Sequence, residues 1–356
     1  MGRGAMTAEG NAPTEVSGDL ELPLPTDLSH GITIMVRLFG WAILSCMVVF
    51  LINNYLTFWH GWPGEGAPLG MGSDNKSASM TFAWLQFAAY PVGVTLAAFY
   101  VLYTFNEDLR SDSARISNIN TFIIRAAFFA VLYVGLADAF ISFLRVEGLL
   151  PVIFGDEMAI NLGKSLYRGP VLHMPLIGIA IVTAVFSNSL GFIWLALLVI
   201  LAELMIVITR FIFSYEQVFM GDLVRFWYAA LFLFSSAYTL LKEGHVRVDV
   251  FYTNFSAKKK GLVDAAGSLF LGISLCWIIL FVGMSSKTAI INSPILAFET
   301  TQTGFSMYVK YLMAGFLAVF AISMMIQFVS YLLGAVANIR EEPSSKVHDI
   351  HSVQGG

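Results

Sequence analysis

Few residues in this chain could do chemistry, and most of them stand in apolar surroundings. Glu203 lies near the middle of an apolar run, 190–213. A carboxyl group at that depth could ligate an ion, relay a proton or hydrogen-bond a neighbouring helix; the reading adopted is that it faces a partner helix, protonated or hydrogen-bonded. Arg210 follows seven residues later. On a helix it projects from a similar face about 10 Å away, too far for contact unless both side chains bend. Asp138 lies toward the end of another apolar run, 121–143, where an interfacial or ion-paired role fits better than ion transport. Arg37 and Arg125 fall within a turn or two of expected helix ends and are expected to snorkel toward water.

Other candidates fall short of a site. His245, Arg247 and Asp249 alternate with Val246, Val248 and Val250, a period of two with one polar and one apolar face. His245 and Asp249 alone are too few ligands for a metal, so no metal site is expected. Arg247 and Asp249 could pair with another chain, cap nearby helix ends or close a local turn by their own salt bridge. His30, His60, His173 and His245 fall near membrane boundaries. Histidines at matched depth could hold haem, but these are placed at span ends or in loops, and no cofactor is expected. HExxH, GxSxG and GxxxxGK[ST] are absent, and Gly64, Gly66 and Gly70 have the wrong spacing for a dinucleotide turn. The chain therefore reads as a non-enzyme. Cys46 and Cys276 both sit in apolar runs and read as buried thiols. A net charge of −4 gives no reason to expect a nucleic-acid partner.

The elements that hold these residues are set by hydropathy. Of the 356 residues 57% are hydrophobic and 12% charged, half the charged share of a water-soluble chain, about 25%. Eight apolar segments can be marked: 32–55, 82–103, 121–143, 171–186, 190–213, 226–241, 262–284 and 312–336. Each can be helical, because an isolated strand cannot satisfy its backbone in lipid. The fold class is thus an all-α integral membrane protein of about eight transmembrane helices. Pro91 predicts a kink in the second. The fourth, 171–186, is short of the ~20 residues a perpendicular span needs. Placing Lys258, Lys259 and Lys260 in the cytoplasm, as the positive-inside rule prefers, and counting eight spans puts both termini there with most of the 20 basic residues. Without the fourth span, Arg110, Arg115 and Arg125 would move outside and erase that bias. Segments 1–30 and 341–356 read as disordered cytoplasmic tails. In the long outer loop 145–170, Asp156 and Glu157 could open a helix, with Met158, Leu162 and Leu166 laying it on the membrane surface.

The stretch after the fifth span is the most informative. It reads Arg210-Phe211, then Asp222-Leu223-Val224-Arg225-Phe226, then His245-Val246-Arg247-Val248-Asp249. This order resembles the small permease subunit (DctQ type) of tripartite ATP-independent periplasmic (TRAP) transporters. In that family an Arg-aromatic pair closes the first span, an acidic-x-x-Arg-aromatic element opens the second, and an H-[VI]-x-[VI]-D run follows it. Asp222 stands where Glu is usual. The resemblance covers 189–340 as a four-helix region, which leaves 31–188 as an extension of about four spans. It implies a multi-pass protein of the bacterial inner membrane that imports an organic acid together with a large membrane subunit and a periplasmic substrate-binding protein, driven by sodium. The sodium and substrate sites would belong to the large subunit, and this chain would be a scaffold, with Arg210, Asp222, Arg225, His245, Arg247 and Asp249 as candidate subunit contacts. Two other classes stay open at this point: a haem-carrying or structural subunit of a membrane redox complex, and a stand-alone channel or carrier.

Overall fold

A computed structural model describes residues 26–70, 79–189, 191–215, 217–242, 252–301 and 306–340. His245, Arg247 and Asp249 lie outside the described residues, as do 1–25 and 341–356; the first expected tail, 1–30, is too long, because the chain is already helical from Thr26. Among the described residues every regular element is a helix, and there is no strand. Eight helices are long and apolar enough to cross a membrane.

The helices run, in order, α1 (Thr26–Trp59), α2 (Met80–Tyr103), α3 (Leu109–Val146), three short helices α4 (Leu150–Phe154), α5 (Asp156–Leu162) and α6 (Ser165–Arg168), then α7 (Met174–Phe186), α8 (Phe192–Ile212) and α9 (Val218–Leu241). They continue with α10 (Ala257–Ala266), α11 (Ser274–Met284), the short α12 (Asn292–Ala297) and α13 (Lys310–Ile339). A π turn, Gly169–His173, joins α6 to α7, and another, Gly267–Ile273, joins α10 to α11, so each pair makes one continuous span. The spans alternate in direction. One end of the bundle carries Lys258, Lys259 and Lys260 at the start of α10; the other is closed by α4, α5, α6 and α12.

Local sequence explains the starts. Ser79 accepts a hydrogen bond from the Thr81 N–H, and Asp108 accepts one from Ser111, the side-chain caps that open α2 and α3. α2 stays helical through Pro91. In the loop after α4, Asp156 and Glu157 do open a helix, but it stops at Leu162. Leu162 turns into the interior while Leu166 is exposed on α6. The single surface helix expected across Met158, Leu162 and Leu166 is therefore broken at Gly163 and Lys164.

The centre of the bundle is α3 against α13. On one side α7 and α9 pack on this pair, with α8 outside α9; on the other lie α1 and the α10–α11 span, with α2 outside α1. Phe128, Phe226, Phe234 and Phe316 fill the first side. Met47, Ile116, Leu280, Met325 and Leu333 fill the second. The extension is thus not appended to the four-helix region: α3 occupies its middle. A polar seam runs between α3 and α13. Asn120 donates to Ser323 O at 2.9 Å and to Gln327 Oε1 at 3.1 Å, and Gln327 donates to Ser117 Oγ at 3.2 Å. Ser330 lies within 2.9 Å of Ser117 Oγ and donates to Ser113 O at 2.8 Å. Such groups join helices in lipid, where burying apolar surface drives nothing.

Candidate functional site

At the capped end, Asp138 of α3 is fully buried, and three donors surround its carboxylate. Arg168 Nη1 donates to Oδ1 at 2.7 Å, His173 Nε2 lies 3.1 Å from the same oxygen, and the Tyr308 N–H donates to Oδ2 at 2.8 Å. Arg168 spends its other donors on Leu162 O at 2.9 and 2.7 Å. Its guanidinium lies 4.2 Å from the centre of the Tyr308 ring. The second nitrogen of His173 is 2.8 Å from Tyr311 OH. Arg145 completes the group through Tyr308 OH and, at 2.8 Å, Ser306 O.

The π turn makes this geometry possible. In an α-helix, residues five apart diverge by about 140°. The wider turn, closed by the Met174 N–H on Gly169 O, brings Arg168 and His173 round to one carboxylate. Pro170 and Pro175 bracket the turn. Each lacks an N–H, so the α-helical ladder is already broken there and widening costs little. Gly169 is required: a Cβ on it would fall inside the ring of Phe298.

Asp222, in the second turn of α9, faces the same segment. Its Oδ2 accepts from the Met307 N–H at 3.3 Å and lies 3.5 Å from Thr301 Oγ1. Two carboxylates, one on α3 and one on α9, thus hold successive backbone N–H groups where the chain enters α13. Arg225 reaches Asp222 at 3.5 Å but is 74% exposed. Arg210 is exposed in the last turn of α8.

A second network lies at the lysine end. Arg37 donates to Asp112 Oδ2 at 2.7 Å, Thr104 O at 2.6 Å, Thr104 Oγ1 at 2.7 Å and Glu107 O at 3.1 Å. Trp41 Nε1 adds a 2.9 Å bond to Asp112. Arg115 pairs with Glu107 at 2.7 and 2.9 Å. Those bonds hold the Glu107 carboxyl below the usual carboxylate range.

Several expectations change. Arg37 does not snorkel; it is fully buried and closes the corner between α2 and α3. Arg125 donates to Ala184 O and Ser187 O, at 3.2 and 2.9 Å, and so caps the end of α7. The fourth span begins at Ser165, not 171, and takes in His173, which is not at a span end. Arg168 looked like a loop residue because a lone cation cannot enter a span; Asp138 neutralises it. Asp138 itself is ion-paired, one of the two roles expected for it. Sequence reading missed Arg168, Tyr308, Tyr311 and Asp112. The available signal was the Gly-Pro and Met-Pro pairs around His173, which mark an irregular helix. Glu203 projects from α8 away from the bundle, and among the described residues nothing pairs with it. No group of three or more metal-binding side chains occurs among the described residues.

Fold and networks together define a multi-pass all-α membrane protein whose buried ions bind one another. Residues 197–336, from α8 through most of α13, match the family model of the DctQ component of tripartite ATP-independent periplasmic transporters. That match covers α8 through most of α13 and makes this stretch a DctQ-type region; α1 to α7 lie ahead of it as an extended membrane region. No curated protein and no solved structure matches the chain.

Proposed function

We propose that this chain is the non-catalytic scaffold of a sodium-coupled TRAP transporter that imports an organic acid, with transport carried out by a large membrane subunit fed by a periplasmic substrate-binding protein. The observation that carries the scaffold reading is saturation: the buried charges at both ends of the bundle are bound by their own chain. Asp138 has three donors and Arg37 has four acceptors. A substrate or ion site needs groups that can be given up and retaken, and these are locked. One cavity, of about 290 Å³ between α3, α7, α9 and α13, is lined only by Ala, Val, Ile, Leu, Phe and Gly, a poor host for a carboxylate, and the open cleft at Ser111, Arg115 and Asn118 has its cation already paired with Glu107. Both termini lie in the cytoplasm with the lysine end, and the helical cap faces the periplasm. Exposed Arg225 and the segment holding Arg247 and Asp249 are contacts for the large subunit. His173, with both ring nitrogens engaged, has no valence left for haem.

Reconstitution tests the assignment. Vesicles holding this chain alone should accumulate no organic acid under a sodium gradient. Adding the large subunit and the binding protein should start uptake. Transport by the chain alone would replace the scaffold reading with that of a carrier. Arg225→Ala should reduce the amount of large subunit that co-purifies; an unchanged yield would make Arg225 a local structural residue.

A further inference from the structure

Glu203 is the group that the bundle leaves unexplained. α8 is the span least covered by the rest of the chain: 11% of its apolar window is buried, against 50% for the span of α3. Its inward face is Leu195, Leu198, Ala202 and Ile206, packed toward α9. Glu203 is one position round from Ala202, on the flank, and exposed. It stands about 16 Å along α8 from Phe192 and about 14 Å from Ile212. That is the middle of a ~30 Å hydrocarbon layer, the costliest depth for an ionisable side chain. Such groups turn toward a bundle interior or a water-filled space, yet this one turns toward lipid.

Spacing adds a second observation. Ala196, Glu203 and Arg210 are seven residues apart, and seven residues return a helix to within about 20° of the starting direction. They form one seam, with a small residue toward one end, an acid at mid-depth and a cation at the other end. A seam of that period is how one helix receives another, the small residue allowing close approach and the polar one supplying the hydrogen bond.

We propose that the Ala196–Glu203–Arg210 flank of α8 receives a transmembrane helix of the large transporter subunit, which offers Glu203 a cationic or hydrogen-bond-donating side chain at mid-membrane. The proposal rests on the TRAP reading above and assigns the docking face within it. A second copy of this chain would put Glu203 against another α8 and supplies no complementary charge at that depth. Lipid supplies no donor there at all.

A photo-crosslinking amino acid at position 203, in the full chain co-expressed with its large subunit in native membranes, tests the assignment. Irradiation should join this chain to the large subunit. A product with a second copy of this chain, or with lipid only, overturns the docking face. Glu203→Lys should lower the large subunit retained on purification by about three- to thirtyfold, the range that intramembrane polar contacts span. Glu203→Gln, which still accepts a hydrogen bond, should retain most of it. Equal retention in Glu203→Lys overturns the proposal, provided the variant reaches the membrane at the wild-type level. If no large subunit accompanies even the wild-type chain, the TRAP reading fails and the docking face with it. Crosslinking failure in an intact complex touches only the docking face.

Discussion

Asp138 shows what a single buried carboxylate can hold together. Asp138→Asn keeps the shape and removes the charge, leaving Arg168 buried without its counterion. Breaking a buried pair this way costs about 3–5 kcal/mol, so unfolding in detergent should occur at a markedly lower temperature. The pair Asp138→Leu with Arg168→Met should cost less than the sum of the two single changes, because neither charge is then stranded; strict additivity would show that the two do not act as a pair. Glu107 makes a pH prediction. Its folded carboxyl titrates below the unfolded value of about 4.3, so its stabilisation is complete above that pH and is lost as pH falls through the lowered folded value. The gap in unfolding temperature between wild type and Glu107→Gln should close on acidification below about pH 4; a constant gap would assign its cause to packing. At this scale the sequence was half legible. Asp138 and Glu203 stand out because carboxylates are rare in apolar runs. Their partners do not, since Arg168 in isolation belongs outside the membrane and only a tertiary contact brings it in.

The π turn at Gly169–His173 is the element on which the capped end depends. Gly169→Ala would drive a methyl into the Phe298 ring, and Phe298 is itself pinned at a positive φ of 46° against Tyr311. The expected loss is about 1–3 kcal/mol, read as a lower unfolding temperature with faster proteolysis around α4 to α6. On the seam, Asn120→Ala should loosen α3 from α13 by about 0.6–1.7 kcal/mol, the range measured for interhelical polar contacts. Element existence was plain from hydropathy, since all eight apolar segments became spans. Boundaries were not. α9 begins at Val218 and α10 at Ala257, upstream of the expected 226 and 262, because Asp222, Arg225 and the lysine triplet continue helices into the polar boundary. A hydropathy window ends where charge begins; a helix ends where its backbone loses its partners.

For the whole molecule the decisive fact is that α3 lies inside the region matched to the family. A fragment spanning 189–356 would turn Gln327, Ser330 and Tyr311 toward lipid. It should be degraded or aggregate when expressed alone, and co-expression of 1–188 should rescue it. A stable, monodisperse fragment would show that the two halves fold separately. Central placement of α3 was not legible: four apolar segments ahead of a recognisable region suggest an appendage, and nothing in their composition reveals which one is clasped. The size of α3 carries one more implication. At 38 residues it is about 57 Å long, close to twice the ~30 Å thickness of bilayer hydrocarbon. Even a steep tilt leaves about two turns outside the hydrocarbon. With Arg110, Ser111, Asp112, Ser113 and Arg115 in its opening turns, α3 carries its polar start beyond the hydrocarbon, where Arg37 of α1 and Ser330 of α13 grip it, so the packed core of the bundle continues past the apolar layer.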